Sequence, residues 1–412
     1  MWKVSKITFD MQAAARQLRR VVYVAPDVPI PFPSGASVHV SELAEHLTAA
    51  GHEVHVVARR VRRTDRAYER MGGVTFHRVY RLILFGQPRR SRPGGRRSRE
   101  RTGLSGRLYY VYLATVFALY VSLFVSRLVK KNRIDVIFER ETSFGAGGLA
   151  SLFTGRPLIL EIIGPRYSGI SAKRSSKILY YTESMLKGWV KRSKCVPVSA
   201  GVNLELFRNN RELRATTRKS LGLADSDRVV GYVGSFQDWH GVDILLLATK
   251  RMKDRGKSVK LILVGPCTEE YIEMSKRLGV FEYCTFVGPV GYEEVPSYIN
   301  ACDIMVAPYN PDADPLRKAY GIGSPLKLFE YMACEKPIIS TKVDPIKEIP
   351  SVGEAGVLVE PGEPEVLSMT MVELAEDEGA RSRMGRHGRR LVENGFSWGP
   401  LAERVSSMIQ AA

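Results

Sequence analysis

The chain has 412 residues, 44% hydrophobic and 25% charged, a globular balance long enough for two domains and unlike a disordered or fibrous chain. Its net charge of +18 is concentrated in residues 1–200, where 35 Lys and Arg face 13 Asp and Glu, so that half is expected to meet an anionic partner. The five cysteines (Cys195, Cys267, Cys284, Cys302 and Cys334) are scattered without a C-x-x-C pair, which indicates neither a disulfide framework nor a zinc site and makes a reducing cytoplasm the simplest compartment.

Residues 1–20 read as a short amphipathic extension with no secretory signal pattern. The run Val21-Val22-Tyr23-Val24-Ala25 predicts the first buried strand. A proline-rich loop ending in Ser34-Gly35-Ala36-Ser37 leads to a helix marked by Val38, Val40, Leu43, Ala44 and Leu47 and closed by Gly51. Val54–Ala58 predicts the second strand. The unit is Rossmann-like in outline but lacks G-x-G-x-x-G. His39 falls near the start of its helix, where a buried structural role and a catalytic one are both open.

Residues 86–107 carry eight arginines from Arg89 to Arg107 among Pro, Gly and Ser, and predict a mobile loop. Residues 108–129 follow as an apolar stretch whose only charge is Arg127. Their length approaches the ~20 residues of a membrane span. A span would, however, split one domain across a bilayer, because Asp135-Val136-Ile137-Phe138 runs directly into another core strand. A buried or interfacial helix is therefore expected. Pro157–Glu161 predicts the next strand, with a glycine-rich helix start at Gly145–Gly148 between the two. From there the chain leads directly to Cys195-Val196-Pro197, so one strand–helix unit is expected to be missing or fused.

From about Phe207 strands and helices alternate again. Val229–Val233, Val259–Val264, Cys284–Val287 and Asp303–Ala307 predict strands of a parallel sheet. Gly234, Gly265, Gly288 and Pro308 fall at strand ends, where such sheets bind ligands. Then comes Gly323-Ser324-Pro325-Leu326-Lys327-Leu328-Phe329-Glu330-Tyr331-Met332-Ala333. It predicts a helix with Ser324 as N-cap, Pro325 in its first turn and Leu328, Phe329 and Met332 on its buried face. Ile338-Ile339 starts the strand after it. A helix N-terminus beside glycine and Lys327 suits a phosphate, and Glu330 faces the same side one turn on.

The wording of that stretch resembles the donor-binding motif S-P-x-K-x-x-E-Y-M-A of a subgroup of family 4 glycosyltransferases. Gly35–Val40 through Val54 and the strand at residues 135–140 are similar to the same family, and the resemblance covers about residues 21–410. It implies the GT-B fold: α/β, with two Rossmann-like domains whose parallel sheets face each other across a cleft. The implied domains are an acceptor domain at 21–205, a nucleotide-sugar domain at 206–395 and a terminal helix at 396–412 crossing back to the first. The implied activity is sugar transfer, with retention of configuration and without a metal or other cofactor, from a nucleotide sugar such as a UDP- or GDP-sugar. Lys327, Glu330 and His39 are implied as catalytic residues. Gly35, Gly234, Ser235, His240, Gly265, Val287, Gly288, Ile322, Gly323, Ser324, Leu326, Lys327, Leu328 and Glu330 are implied as donor contacts. The sequence departs from the family in having His240 where a lysine is usual and Ile322 where a first glutamate is usual; backbone N–H groups of Ile322 and Gly323 are expected to replace that carboxylate in part.

The arginine-rich loop beside an apolar helix predicts a protein peripheral to the inner face of the cytoplasmic membrane, acting on a lipid-linked or glycan acceptor. A catalytically inactive, membrane-associated scaffold of the same fold is the alternative. Nucleic-acid binding is not expected, since the arginines lack interleaved aromatics or a recognisable module.

Overall fold

A computed structural model describes residues 18–32, 34–61, 65–80, 104–141, 145–257 and 259–412, with 104–111 as backbone only. The expected extension before residue 18 and the arginine-rich loop up to residue 103 lie outside the described residues. The chain divides into two compact units, residues 1–199 with 398–412, and residues 200–397.

The first unit is built on eight strands: β1 (Arg20–Pro29), β2 (Glu53–Arg59), β3 (Tyr68–Met71), β4 (Val74–Val79), β5 (Val136–Arg140), β6 (Leu158–Ile162), β7 (Lys177–Tyr180) and β8 (Cys195–Pro197). Their order is β3-β4-β2-β1-β5-β6-β7-β8, parallel except for β3 against β4. Val21 to Val24 are fully buried, as a strand covered on both faces requires. The chain winds outward from β1 and then returns to β5, so β1 and β5 are neighbours where the winding reverses. That reversal leaves a crevice at their carboxyl ends.

Helix α1 (Gly35–Ala49) follows β1, with the Ser34 side chain accepting from the Ser37 N–H as its N-cap. Helix α2 (Leu104–Asn132) lays Val121, Val125, Leu128 and Val129 into one apolar cluster with Val22 and Val24 of β1. Each such side chain contributes about 1.5–3 kcal/mol on burial. The cluster also holds Ala146 and Ala150 of α3 (Ala146–Thr154). The other side of α2 exposes Tyr112, Leu119, Tyr120 and Leu123, then Arg127, Lys130 and Lys131. Residues Tyr112–Asn132 are apolar and long enough to cross a membrane, with a mean hydropathy of 1.8, yet one face is fixed to the sheet. The unit is completed by α4 (Gly169–Arg174) and by the C-terminal helix Trp398–Ala411. That helix docks on α1, with Trp398 buried and His52 Nε2 2.8 Å from Ser406 Oγ.

One expectation is corrected here. No strand is missing before Cys195: Lys177–Tyr180 forms β7 between β6 and β8. Only Ile178 and Leu179 of its four residues are buried, and serines and lysine precede it, so its apolar signal is short. What is reduced is the following helix, which is replaced by single 3-10 turns at Glu183–Met185 and Arg192–Lys194.

The second unit has six parallel strands: β9 (Val229–Val233), β10 (Lys260–Val264), β11 (Cys284–Gly288), β12 (Ile304–Ala307), β13 (Ile338–Thr341) and β14 (Gly356–Val359). Their order is β11-β10-β9-β12-β13-β14, so the winding reverses between β9 and β12. Strand periodicity sends Val229 and Val233 to one core and Val230 and Tyr232 to the other. Helices α5 (Arg211–Ser220), α6 (Val242–Asp254), α7 (Glu269–Arg277), α8 (Val295–Ala301), α9 (Pro315–Tyr320), α10 (Leu326–Ala333), α11 (Pro364–Glu376) and α12 (Glu378–Gly395) cover the two faces. In α10 the spacing of Leu328, Phe329 and Met332 buries all three completely.

The two sides of α2 make a testable contrast. Val125→Asp puts an unpaired charge into the apolar cluster and is expected to cost about 3–5 kcal/mol. Leu123→Asp, on the exposed side, should change stability by less than about 0.5 kcal/mol. Urea unfolding of the two full-length variants measures the difference, and equal losses would contradict the orientation of α2.

Candidate functional site

In the second unit the candidate site lies at the carboxyl ends of β9 and β12, where the N-terminus of α10 approaches them. The Tyr331 hydroxyl donates to the Val233 carbonyl at 2.9 Å and accepts from the Val233 N–H at 2.9 Å, which ties α10 to the end of β9. Gly234 follows with φ 156°. A Cβ there would stand 2.8 Å from Lys327 Nζ, so glycine keeps the space that the lysine occupies. Lys327 Nζ donates to the Tyr232 hydroxyl at 3.3 Å and lies 4.7 Å and 4.9 Å from the ring centroids of Tyr232 and Tyr309. Burial lowers its pKa to about 7, against the opposing pull of Glu330 one turn further on. Glu330 also acts with burial to raise the Tyr309 hydroxyl, so the carboxylate serves the same corner.

His240 is not a substitute cation. Its Nδ1 lies 2.6 Å from the Ser235 carbonyl oxygen and 3.0 Å from the Ser235 hydroxyl. Burial, then Lys327, lowers its pKa to about 2. The neutral ring packs against Trp239 and Tyr309. The second cation is Arg317 of α9, 4.5 Å above the Trp239 ring. Sequence reasoning passed over it because it sits in a six-residue helix with no apolar period.

Gly265 and Gly288 continue the rim: Gly234 N–H donates to Val264 O, and Gly265 N–H to Gly288 O, both at 2.9 Å. The side chain of Val287 packs on the core, as does that of Leu328, so only their backbones face the rim. Leu326 and Lys327 open α10, and their N–H groups have no acceptor within the helix. Two expectations are corrected. The cap residue is Pro325, and Ser324 Oγ is buried without a hydrogen-bond partner. Gly321 and Gly323, at φ 75° and 79°, turn the chain so that Ser324 does not reach the first turn. The Ile322 N–H donates to the Asp344 carbonyl at 3.1 Å, so it does not stand in for a missing carboxylate. A cavity of about 400 Å³ lies past the other end of α10, beside Glu335, Arg386 and Arg390. Eight helical residues, ~12 Å of rise, separate it from this corner, and it adds nothing to it.

In the first unit Gly35 is the exposed first residue of α1, whereas His39 is enclosed. His39 Nε2 lies 2.7 Å from Glu161 Oε1, which also accepts from the Tyr181 hydroxyl at 2.7 Å. Glu161 Oε2 accepts from the Tyr23 hydroxyl at 2.7 Å. Burial pushes the Glu161 carboxyl up, but His39, Arg140 and Tyr181 together outweigh it and hold its pKa down to about 2. Trp398 closes over the His39 ring at 5.2 Å. The histidine thus organises a buried network. Among the described residues no group of three or more His, Cys, Asp or Glu side chains is placed to hold a metal ion.

Two doubly wound units with these rims define the GT-B glycosyltransferase fold. Sucrose-phosphate synthase from Thermosynechococcus elongatus superposes with a TM-score of 0.75 over 95% of this chain and 98% of its own, at 18% identity. Anabaena HepE, solved with UDP and glucose, gives 0.70 over 96% and 100%, at 16% identity.

Residues 33–196 match the model described as Glycosyltransferase Family 4, and residues 227–377 the one described as Glycosyl transferases group 1. The chain therefore carries glycosyltransferase domains in both units. A D-inositol 3-phosphate glycosyltransferase of Corynebacterium diphtheriae is 27% identical over 221 residues, 51% of this chain and 49% of that one. The capsular polysaccharide biosynthesis glycosyltransferase CapM of Staphylococcus aureus is 29% identical over 212 residues, 51% and 52%. The chain spans about half the length of the curated relatives it matches.

Were a diphosphate to bind beside Lys327, its affinity would depend on pH with a definite sign. Near pH 7 it is half protonated, and an anion at α10 raises its pKa again. Binding above pH 7 therefore takes up a proton, and affinity for UDP should fall up to tenfold per pH unit until the pKa of the complex is reached. Calorimetry at pH 8.5 in two buffers of different ionisation heat measures the uptake. A buffer-independent heat would contradict this protonation of Lys327.

Proposed function

We propose that this protein is a retaining, metal-independent glycosyltransferase that moves a sugar from a nucleotide-sugar donor to a lipid-linked or glycan acceptor at the inner face of the cytoplasmic membrane. The observation that carries the reading is the desolvated Lys327, suspended over Tyr232 and Tyr309 at the opening of α10, with Glu330 one turn on. The donor's diphosphate sits against the first-turn N–H groups of α10, Lys327 and the rim from Gly234 to Gly288. Glu330 accepts from the ribose hydroxyls. As the sugar–phosphate bond breaks, negative charge gathers on the leaving diphosphate. A cation already stripped of water stabilises that charge more than it stabilises the ground state. The UDP complexes of HepE are consistent with a uridine nucleotide as donor.

The membrane part rests on α2 and on the composition beside it. Its exposed apolar stripe, from Tyr112 to Leu123, ends in Arg127, Lys130, Lys131 and Arg133. Each basic residue near an anionic leaflet contributes up to ~1 kcal/mol, and the arginines of residues 89–101 precede the same helix.

Donor and membrane roles are separable. Glu330→Gln should weaken UDP-sugar binding by about 1.5–3 kcal/mol, and Lys327→Ala should depress turnover more than donor affinity. Donor hydrolysis and calorimetry over a panel of nucleotide sugars read both, and unchanged donor affinity in Glu330→Gln removes the ribose assignment. Leu123→Asp, which leaves the core intact, should release the protein from anionic vesicles at moderate salt with donor hydrolysis preserved. Co-sedimentation equal to that of the parent would exclude α2 from the contact.

A further inference from the structure

The first unit holds a cation that acts on its neighbours only through space: Arg140 helps hold the Glu161 carboxyl down, yet its Nε has no hydrogen-bond partner. Arg140 ends β5, beside β1 at the point where the sheet's winding reverses. It pairs in register with Glu161 on β6, so the two side chains rise on the same face, about 5 Å apart at their bases. Phe138, two residues earlier on that face, stacks on Tyr23 at 4.5 Å. Arg140 therefore stands on the carboxyl-end rim above the network of Tyr23, His39, Tyr181 and Glu161.

Three carboxylates lie along this stretch, and none forms an ion pair with Arg140. Both oxygens of Glu161 are taken by Tyr23, His39 and Tyr181. Glu139 points to the opposite face, where its oxygens accept from the Gly147 and Gly148 N–H groups at 3.1 Å and so close the N-terminus of α3. Glu141 accepts from the N–H groups of Ile163 at 2.9 Å and Gly164 at 2.6 Å. Burial raises its pKa to about 7 although Arg140 opposes this, so its charge is only partly present at neutral pH. Arg140 makes no hydrogen bond or ion pair with any described residue, and its Nε is shut off from solvent without a partner. A buried guanidinium N–H left unmade is costly, whereas the planar fork matches a phosphate with two parallel bonds.

We propose that Arg140 anchors a phosphate group of the acceptor at the crevice between β1 and β5. The inference rests on the transferase reading in taking the first unit as the acceptor's. The fork donates to two phosphate oxygens, which gives the partnerless Nε an acceptor. Glu161, with both oxygens taken by other groups, accepts no hydrogen bond from the fork. Glu141 is partly neutral, so it repels the phosphate little and has a proton to donate to it. The phosphate is carried either by a soluble ester or by a lipid, and the chemistry at Arg140 is the same for both.

The test uses the full chain, with Arg140→Gln and Arg140→Lys. Glycerol 1-phosphate is titrated calorimetrically with and without UDP, and binding to vesicles of phosphatidic acid in phosphatidylcholine is measured beside it. Arg140→Gln is expected to lose at least tenfold in affinity for one of the two probes. Arg140→Lys should recover part of that loss, because it restores charge without the fork. A loss on glycerol 1-phosphate places the phosphate on a soluble acceptor, and a loss confined to vesicles places it on a lipid. UDP affinity should match the parent in both variants, and Arg140→Lys, which keeps the charge beside Glu161, should also match its unfolding midpoint, which excludes a general collapse of the Glu161 network. Arg140→Gln equal to the parent on both probes, or a parent that binds neither, overturns the proposal. Failure of UDP to bind would instead sink the donor reading and leave the phosphate titration to stand or fall alone.

Discussion

A carboxylate sealed inside a protein is costly unless hydrogen bonds replace the water it loses. In the first unit that constraint falls on Glu161, and the donors that meet it come from three different elements. Tyr23 belongs to β1, His39 to α1, and Tyr181 follows β7. Satisfying one buried charge thus fixes the rim of the sheet on both sides of its winding reversal. It also occupies both oxygens of Glu161, and among the described residues the neighbouring Arg140 finds no acceptor for its Nε.

The second unit resolves the same tension differently. Among the described residues Lys327 has no carboxylate at salt-bridge distance, and two aromatic faces offset part of its desolvation. The remaining cost shows as a pKa near neutrality. Gly234 leaves room for the amine, and Tyr331 fixes the backbone beside it. A cation held this way has more to gain from an anion than one already solvated or paired. His240 illustrates the opposite outcome: enclosed by Trp239 and Tyr309 and repelled by Lys327, it is kept neutral and serves as packing with a polar edge.

Much of this was legible in the chain itself. Buried parallel strands announced themselves as unbroken apolar runs, and α10 by the spacing of Leu328, Phe329 and Met332. Lys327 and Glu330 were marked by their place in one continuous string. β7 was not legible, because only two of its residues are apolar and buried; it becomes a strand through pairing with β6 and β8. The Ser324 cap failed for a related reason. Composition favoured it, but two left-handed glycines, Gly321 and Gly323, set the direction of the chain instead.

Local pattern therefore determined the class of the chain, its two alternating strand–helix halves, and the stretch that opens α10. Those features depend on periodicity and on residues adjacent in sequence. The tertiary structure decided which groups share a charge environment. His39 and Glu161 are 122 residues apart, and Lys327 and Tyr232 are 95 apart. Arg317 joins Trp239 only after the chain has folded, and the Nε of Arg140 is without a partner among the described residues beside a Glu161 that distant donors have taken. Desolvation and hydrogen-bond saturation depend on everything packed around a group, and no window of sequence contains that information.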